Sequence, residues 1–329
     1  MLSPNIPPNK AQQARALQLW ADFGHPSQEL LHLNNQYHAR TNEEVARDDY
    51  LSNMPHERNL VHPRIFEIQV WTSNRLPRRP TEAGHPLMLD ANLHTYWHMF
   101  IEAAKRFDQD DPNQDALVVE LLSLQRRTLQ HAFGNELVPA YASNGQRIWT
   151  DLPYFYDDLL AALQGSLTRD QRTNLVAFIA RLASCGVFDN VLFGFGLLLF
   201  RDALESSRPL LPSTLDPSTS VQDLLPSVNC WIQLTRYHIE TFLQESVDNF
   251  DPSLSTPGPL APKGCLGGFN MIRWKFWGQR LTELSKNTDK EVSDTADSIM
   301  SWWSEIDGHS LGGNDPEGEV KPGRYWVSG

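Results

Sequence analysis

Apolar residues recur at helical spacing along most of the chain. Over 168–186, Leu175, Phe178, Ile179 and Leu182 fall at i, i+3, i+4 and i+7, which places them on one helix face. Thr168 and Gln171 ahead of them fit a capping box, in which each side chain satisfies a backbone donor of the other. Gly186 fits the left-handed position that follows a helix end. The apolar run over 187–200 predicts a buried helix that carries Phe193, Leu197 and Phe200 and ends in RDALE, 201–205. Gly194 and Gly196 inside it each cost about 1 kcal/mol of helix propensity. They predict a close approach of another helix or a ligand, or a kink. Arg201 and Glu205, four apart, have the spacing of an ion pair.

The same pattern returns near the C-terminus. Met271, Trp274, Phe276, Trp277 and Leu281 load one helix with aromatic surface. Thr288 and Glu291 make a second capping box, followed by a face of Val292, Ala296, Ile299 and Trp303. Further helices are predicted over 10–23, 41–54, 63–74, 87–107, 114–132, 153–164 and 228–247. Proline- and glycine-rich breaks lie near 76–86, 134–148, 207–220, 251–268 and 307–329. Strand signals are nearly absent and no regular repeat is visible. The expectation is an all-α chain forming a single irregular multi-helix domain over 1–329, with a loose polar tail from Asp307. A split near residue 140 is the alternative organisation.

Composition narrows the function classes. With 28 Lys+Arg against 40 Asp+Glu the net charge is −12, so a nucleic-acid partner is not expected. The one dense basic spot, 75–79, is short and broken by proline. The three cysteines, Cys185, Cys230 and Cys265, are too scattered for a disulfide framework or a zinc site and fit a reducing cytoplasm. The N-terminus shows no signal-peptide pattern. As a helix, 187–200 would reach only about 21 Å, short of a bilayer core of about 30 Å, so no membrane span is expected.

Few residues carry chemistry by spacing. His94 and His98, with Glu102 a turn further on, have the i, i+4 spacing of a shared metal site, but the glutamate does not stand between the histidines as in metalloproteases. Hydrogen-bonded histidines on an aromatic face fit as well, and no metal is assigned. There is no nucleophile elbow and no phosphate-binding glycine loop; GCLGG over 264–268 lacks the lysine that grips phosphates. What stands out are aromatic residues beside arginines and amides: Trp149, Asn174, Arg181, Trp231, Tyr237, Arg273, Trp274 and Trp277. Tryptophans with polar tips suit either a core with satisfied N–H groups or an apolar pocket with a few directing donors.

Four blocks together carry a resemblance: WTDLPYF (149–155), NLVAFIARLASCG (174–186) with FRDALE (200–205), NCWI (229–232) and GFNMIRWKFWGQRL (268–281). Over about 140–302 the chain resembles a large family of helical proteins from filamentous fungi catalogued as a domain of unknown function. The loop before Phe269 and the glycines at 194 and 196 depart from its usual pattern. The resemblance implies an all-α cytosolic fungal protein. Members occur among secondary-metabolite genes, and some such helical proteins act as cofactor-independent cyclases. The resulting expectation is a cofactor-free cyclase or isomerase acting on a small apolar terpenoid or polyketide metabolite, a pericyclic [4+2] closure being one case. In it Arg181, Arg273 and Tyr237 are the catalytic candidates, and Trp149, Asn174, Trp231, Trp274 and Trp277 bind substrate. The rival expectation is a non-enzymatic helical interaction or regulatory protein, whose aromatics are simply core. No oligomeric state is read from the sequence.

Overall fold

The structure is a computed structural model and describes residues 86–127, 130–133, 136–142, 144–213 and 219–311. The helices expected over 10–23, 41–54 and 63–74, the basic spot at 75–79 and the tail beyond 311 lie outside these residues. The fold is mostly α-helical. The chain divides into two compact units, 1–178 and 179–329.

Unit 1 contains α1 (Pro86–Arg106), α2 (Pro112–Gln125), the strands β1 (Gln130–Phe133) and β2 (Glu136–Pro139), and α3 (Phe155–Gln164). It also holds the first turns of α4 (Arg169–Ser184). Asp111 caps α2 by accepting from the Asn113 amide, and Pro112 follows at the first helical position, where its missing N–H costs nothing. The sequence pattern carries α2 on to 132, but the helix stops at Gln125. Residues 130–133 instead pair antiparallel with 136–139, in a register of Gln130 with Pro139 and Phe133 with Glu136.

Packing in unit 1 joins α1 to α2 and α3. Leu93, Tyr96, Trp97, Phe100 and Ala104 are buried along one face of α1. Two amide side chains close the C-terminal end of α1, where backbone carbonyls lack helical partners. Gln114 Nε2 donates toward the Ala104 and Phe107 carbonyls at 3.0 and 2.7 Å. Asn174 Nδ2 donates to the Lys105 carbonyl at 3.2 Å.

Unit 2 contains the rest of α4, α5 (Phe193–Phe200), a π-helical turn (Arg201–Glu205), α6 (Val221–Glu245), the single turn α7 (Pro252–Ser255), α8 (Met271–Leu284) and α9 (Lys290–Leu311). The Thr168–Gln171 capping box of α4 is present in both directions, at 3.1 and 3.2 Å. Gly186 takes φ +75°, and the Val187 amide reaches back to the Leu182 carbonyl at 3.0 Å, closing the helix. α6 begins seven residues before the expected 228, because Ser220 and Asp223 form a capping box. Pro226 near its start removes one hydrogen bond without ending the helix. The capping of α9 falls one residue later than expected. Asp289, not Thr288, accepts from the Val292 amide at 3.0 Å, in keeping with the stronger capping preference of aspartate. α6 packs along α9, and α8 packs on α9. Among the described residues no helix is long and apolar enough to cross a membrane.

Candidate functional site

A densely bonded group in unit 2 is Glu205, whose side chain is fully buried. The sequence pairs it with Arg201 on the assumption of α-helical geometry. Residues 201–205 are π-helical instead, which rotates successive side chains by less per residue than an α-helix and carries Glu205 inward. Arg201 turns outward and donates to the Ser253 carbonyl at 2.8 Å. Glu205 meets α8: Arg273 Nε and Nη2 donate to its carboxylate at 2.5 and 3.1 Å, and Trp277 Nε1 donates to Oε1 at 2.6 Å. The Gly258 amide donates to Oε2 at 2.6 Å. Arg273 Nη1 donates to the carbonyls of Ser255 and Gly268 at 2.7 and 3.3 Å. All three guanidinium nitrogens are therefore held by protein acceptors. This buried ion pair fastens the 255–268 loop to α8 and the π-helical turn.

Around that pair runs a continuous chain of rings. Trp231 meets Phe193 edge-on, Phe193 meets Phe242, Phe242 meets Phe269, and Phe269 meets Trp277. Trp277 also stacks on Phe200, and Trp274 stacks face to face on Trp303. Four of the expected site residues, Trp231, Arg273, Trp274 and Trp277, thus share one buried assembly. The glycines of α5 are explained here. A Cβ on Gly196 would fall inside the Trp231 indole, and one on Gly194 would press on Leu254 at 3.1 Å. Tyr237 lies elsewhere: it is 65% exposed, with the Arg236 guanidinium 4.7 Å above its ring. Arg181 is half-buried in the last turn of α4.

Trp149 and Asn174 belong to unit 1. Asn174 ties off α1, as described above. Trp149 sits in a second aromatic cluster, edge-on to Tyr96 at 5.4 Å and to Trp97 at 6.0 Å. Trp97 also packs against Phe155, and its Nε1 donates to the Pro153 carbonyl at 2.6 Å. The backbone here is strained. Trp149, Leu152 and Tyr154 have φ of +70°, +48° and +68°, values that side chains other than glycine rarely adopt. Each such residue costs on the order of 1–3 kcal/mol, and such strain collects at functional sites.

The polar tips of this cluster are the second unusual feature. Tyr96 and Trp149 are each 1% exposed, yet among the described residues neither the phenol oxygen nor the indole nitrogen has a hydrogen-bond partner. A buried Glu120 Oε1 is also without one. A buried unmet donor or acceptor costs about 1–3 kcal/mol. Burial, and then the nearby Glu120 charge, push the Tyr96 phenol well above its ordinary pKa, so it is a neutral O–H donor at physiological pH. Trp149 stands out in the sequence, whereas Tyr96 does not. Its position in step with Leu93 and Phe100 on the buried face of α1 is the signal for its inward placement.

The two histidines serve different carboxylates. His94 Nδ1 lies 2.9 Å from both Asp158 oxygens, and its ring stacks on Tyr154. His98 Nε2 lies 3.9 Å from Glu102, which also pairs with Lys105. Among the described residues no group of three or more His, Cys, Asp or Glu could hold a metal. Burial, only partly offset by Glu102, lowers the His98 pKa below its ordinary 6.5. The unfolded chain therefore takes up this proton first, and stability should fall as pH drops from about 6.5 through the folded-state pKa. Urea unfolding of wild type and His98→Gln across that window should show a shallower loss for the variant.

Residues 97–281, more than half of the chain, match the family described as "Protein of unknown function (DUF3632)". The chain belongs to the DUF3632 family. It is also similar to the oxopyrrolidines biosynthesis cluster protein G of Penicillium oxalicum, at 24% identity over 64% of this chain and 64% of that protein. The aligned part thus spans less than two thirds of the relative's length. No solved structure matches. Trp149, Glu205, Arg273 and Trp277 all fall inside the DUF3632 segment, while Tyr96 stands one residue ahead of it.

Proposed function

We propose that this DUF3632 protein serves fungal secondary-metabolite biosynthesis as a cofactor-independent cyclase or isomerase, a pericyclic [4+2] closure being one case. The observation that carries the reading is its similarity to a Penicillium protein of an oxopyrrolidines biosynthesis cluster. The structure adds a physical basis in unit 1. Strained backbone, packed aromatic rings and two buried donors meet around Trp149. Such chemistry needs no nucleophile or cofactor. Holding the two reacting ends of a flexible chain together can remove about 7–11 kcal/mol of barrier, and a fixed donor at a carbonyl stabilises charge that develops there. The directing role expected of Arg273 passes in this reading to Tyr96 and Trp149, because the guanidinium is already engaged by protein.

The test is to incubate the purified protein with an acyclic polyene that carries an oxopyrrolidine ring and to compare the ratio of cyclised stereoisomers with a buffer control. A shifted ratio with turnover is expected. An unchanged ratio overturns the enzyme reading. It would favour an interaction protein, for which the apolar side chains of Leu266 and Ile272, 70% and 60% exposed, offer a contact surface.

A further inference from the structure

Asn144-Gly145 is the one Asn-Gly step in the sequence. It lies in the turn between Tyr141 and Arg147, which pair across an isolated antiparallel bridge. The Ala142 amide donates to the Gln146 carbonyl at 2.9 Å, and the Gly145 amide donates to the Ala142 carbonyl at 3.0 Å. Asn144 is exposed. Three features of the turn favour attack on its side-chain amide. Gly145 has φ +79°, and a Cβ there would meet nothing within 4 Å, so no side chain crowds the Asn144-Gly145 link on that side. The Gln146 amide donates to Asn144 Oδ1 at 3.1 Å. That bond polarises the side-chain carbonyl and stabilises the charge that develops on its oxygen when Cγ is attacked. Asn144 Nδ2 donates to Gln146 Oε1 at 2.7 Å, which holds the leaving nitrogen away from the backbone donor. One bond opposes the reaction: the Gly145 amide must let go of Ala142 before its nitrogen can attack. It belongs to a surface turn, a kind of structure that opens at low free-energy cost.

We propose that Asn144 is a site of spontaneous covalent modification, at which the folded chain converts asparagine to aspartate and isoaspartate. The Gly145 peptide nitrogen gives up its proton to hydroxide and attacks Asn144 Cγ. The Cγ–Nδ2 bond breaks, Nδ2 takes a proton from water and leaves as ammonia, and a five-membered succinimide remains. Water then opens the ring. Cleavage between the ring nitrogen and Cγ gives aspartate, and cleavage between the nitrogen and the main-chain carbonyl gives isoaspartate. Water is the only co-reactant, and nothing is oxidised or reduced. Either product carries one more negative charge. Isoaspartate also routes the backbone through the side chain and lengthens the 142–146 turn by one carbon. That turn leads directly into Ile148, whose amide donates to the Ala140 carbonyl at 2.9 Å, and into the strained Trp149. This chemistry does not depend on the metabolic reading above.

The experiment is timed incubation of the full chain at mildly acidic and mildly alkaline pH, followed by trypsin digestion and fragment-ion mass spectrometry. The tryptic peptide 128–147 carries Asn144 and also Asn135, which precedes glutamate and is the control within the same molecule. The amide-to-acid change should fall on Asn144 alone, as two peptides of equal mass and different retention. Its rate should rise about tenfold per unit of pH, because the attacking nitrogen must first lose its proton. Asn144→Gln should lose the signal. Gln146→Pro, which removes the polarising N–H, should slow the conversion about tenfold with an unchanged circular dichroism spectrum, less than such a donor contributes in a water-excluded site. The wild-type measurement requires no variant. Intact Asn144 at a time when a synthetic 137–150 peptide has converted overturns the site, as does equal conversion at Asn135 or a rate indifferent to pH. An undiminished rate in folded Gln146→Pro overturns the part assigned to the Gln146 amide.

Discussion

Replacing Arg273 with methionine should cost about 3–5 kcal/mol of unfolding free energy, the largest loss expected from any single side chain here. The reason is the carboxylate left behind. Glu205 is fully buried, and Arg273 supplies two of its four donors and its only counter-charge among the described residues. Without the guanidinium, Glu205 must bind a proton or draw in water. Glu205→Gln should cost less, since an amide can still accept from Trp277 Nε1 and the Gly258 amide and carries no charge to strand. The double variant Glu205→Leu, Arg273→Met should recover only part of the loss, because Trp277 Nε1 and the Gly258 amide would then be buried without an acceptor. Urea unfolding of wild type, Arg273→Met, Glu205→Leu and the double variant gives the coupling directly. If Arg273→Met unfolds within 1 kcal/mol or so of wild type, the pair is not buried as described.

The second large effect belongs to a residue with no side chain. Gly268 holds φ +76°, and a Cβ there would stand 2.6 Å from the Asp248 Cα, against main chain that cannot rotate away. Gly268→Ala adds a left-handed strain of about 1–3 kcal/mol to an overpacking term of about 1–3 kcal/mol. The Gly268 carbonyl also accepts from Arg273, so any shift of the loop loosens the buried pair. A drop in Tm of many degrees is expected. Gly264→Ala is the control: it has φ +81° but open space around it, and should lose only the conformational part.

Helices with a one-sided apolar stripe were legible in the sequence because a 3.6-residue period needs no tertiary information. The 168–186 pattern gave α4 with its capping box, its buried face and its terminal glycine. Polar partnerships were much less legible. Arg201 and Glu205 sit at the α-helical spacing of an ion pair, and one π-helical turn was enough to send them to different neighbours 52 and 68 residues away. The gathering of Trp231, Trp274 and Trp277 followed from their helical faces. The separate setting of Trp149 did not, because its orientation depends on left-handed backbone at 149, 152 and 154 that no propensity foretells for Trp, Leu and Tyr. Tyr96 looked ordinary for a similar reason. What distinguishes it from Trp97 is the absence of a hydrogen-bond partner, a property of three-dimensional surroundings rather than residue type.

The π-helical turn at Arg201–Glu205 also makes a claim about descent. A turn of this kind amounts to one residue inserted into an α-helix. Deleting Ala203 would restore the ordinary winding and swing the acid about 100° around the axis, away from α8. The insertion, the acid and the arginine therefore depend on one another structurally. In an alignment of DUF3632 proteins, sequences one residue shorter between the glycine-bearing helix and the following loop should also lack arginine at the position of Arg273. Chains that keep the length should keep both charges.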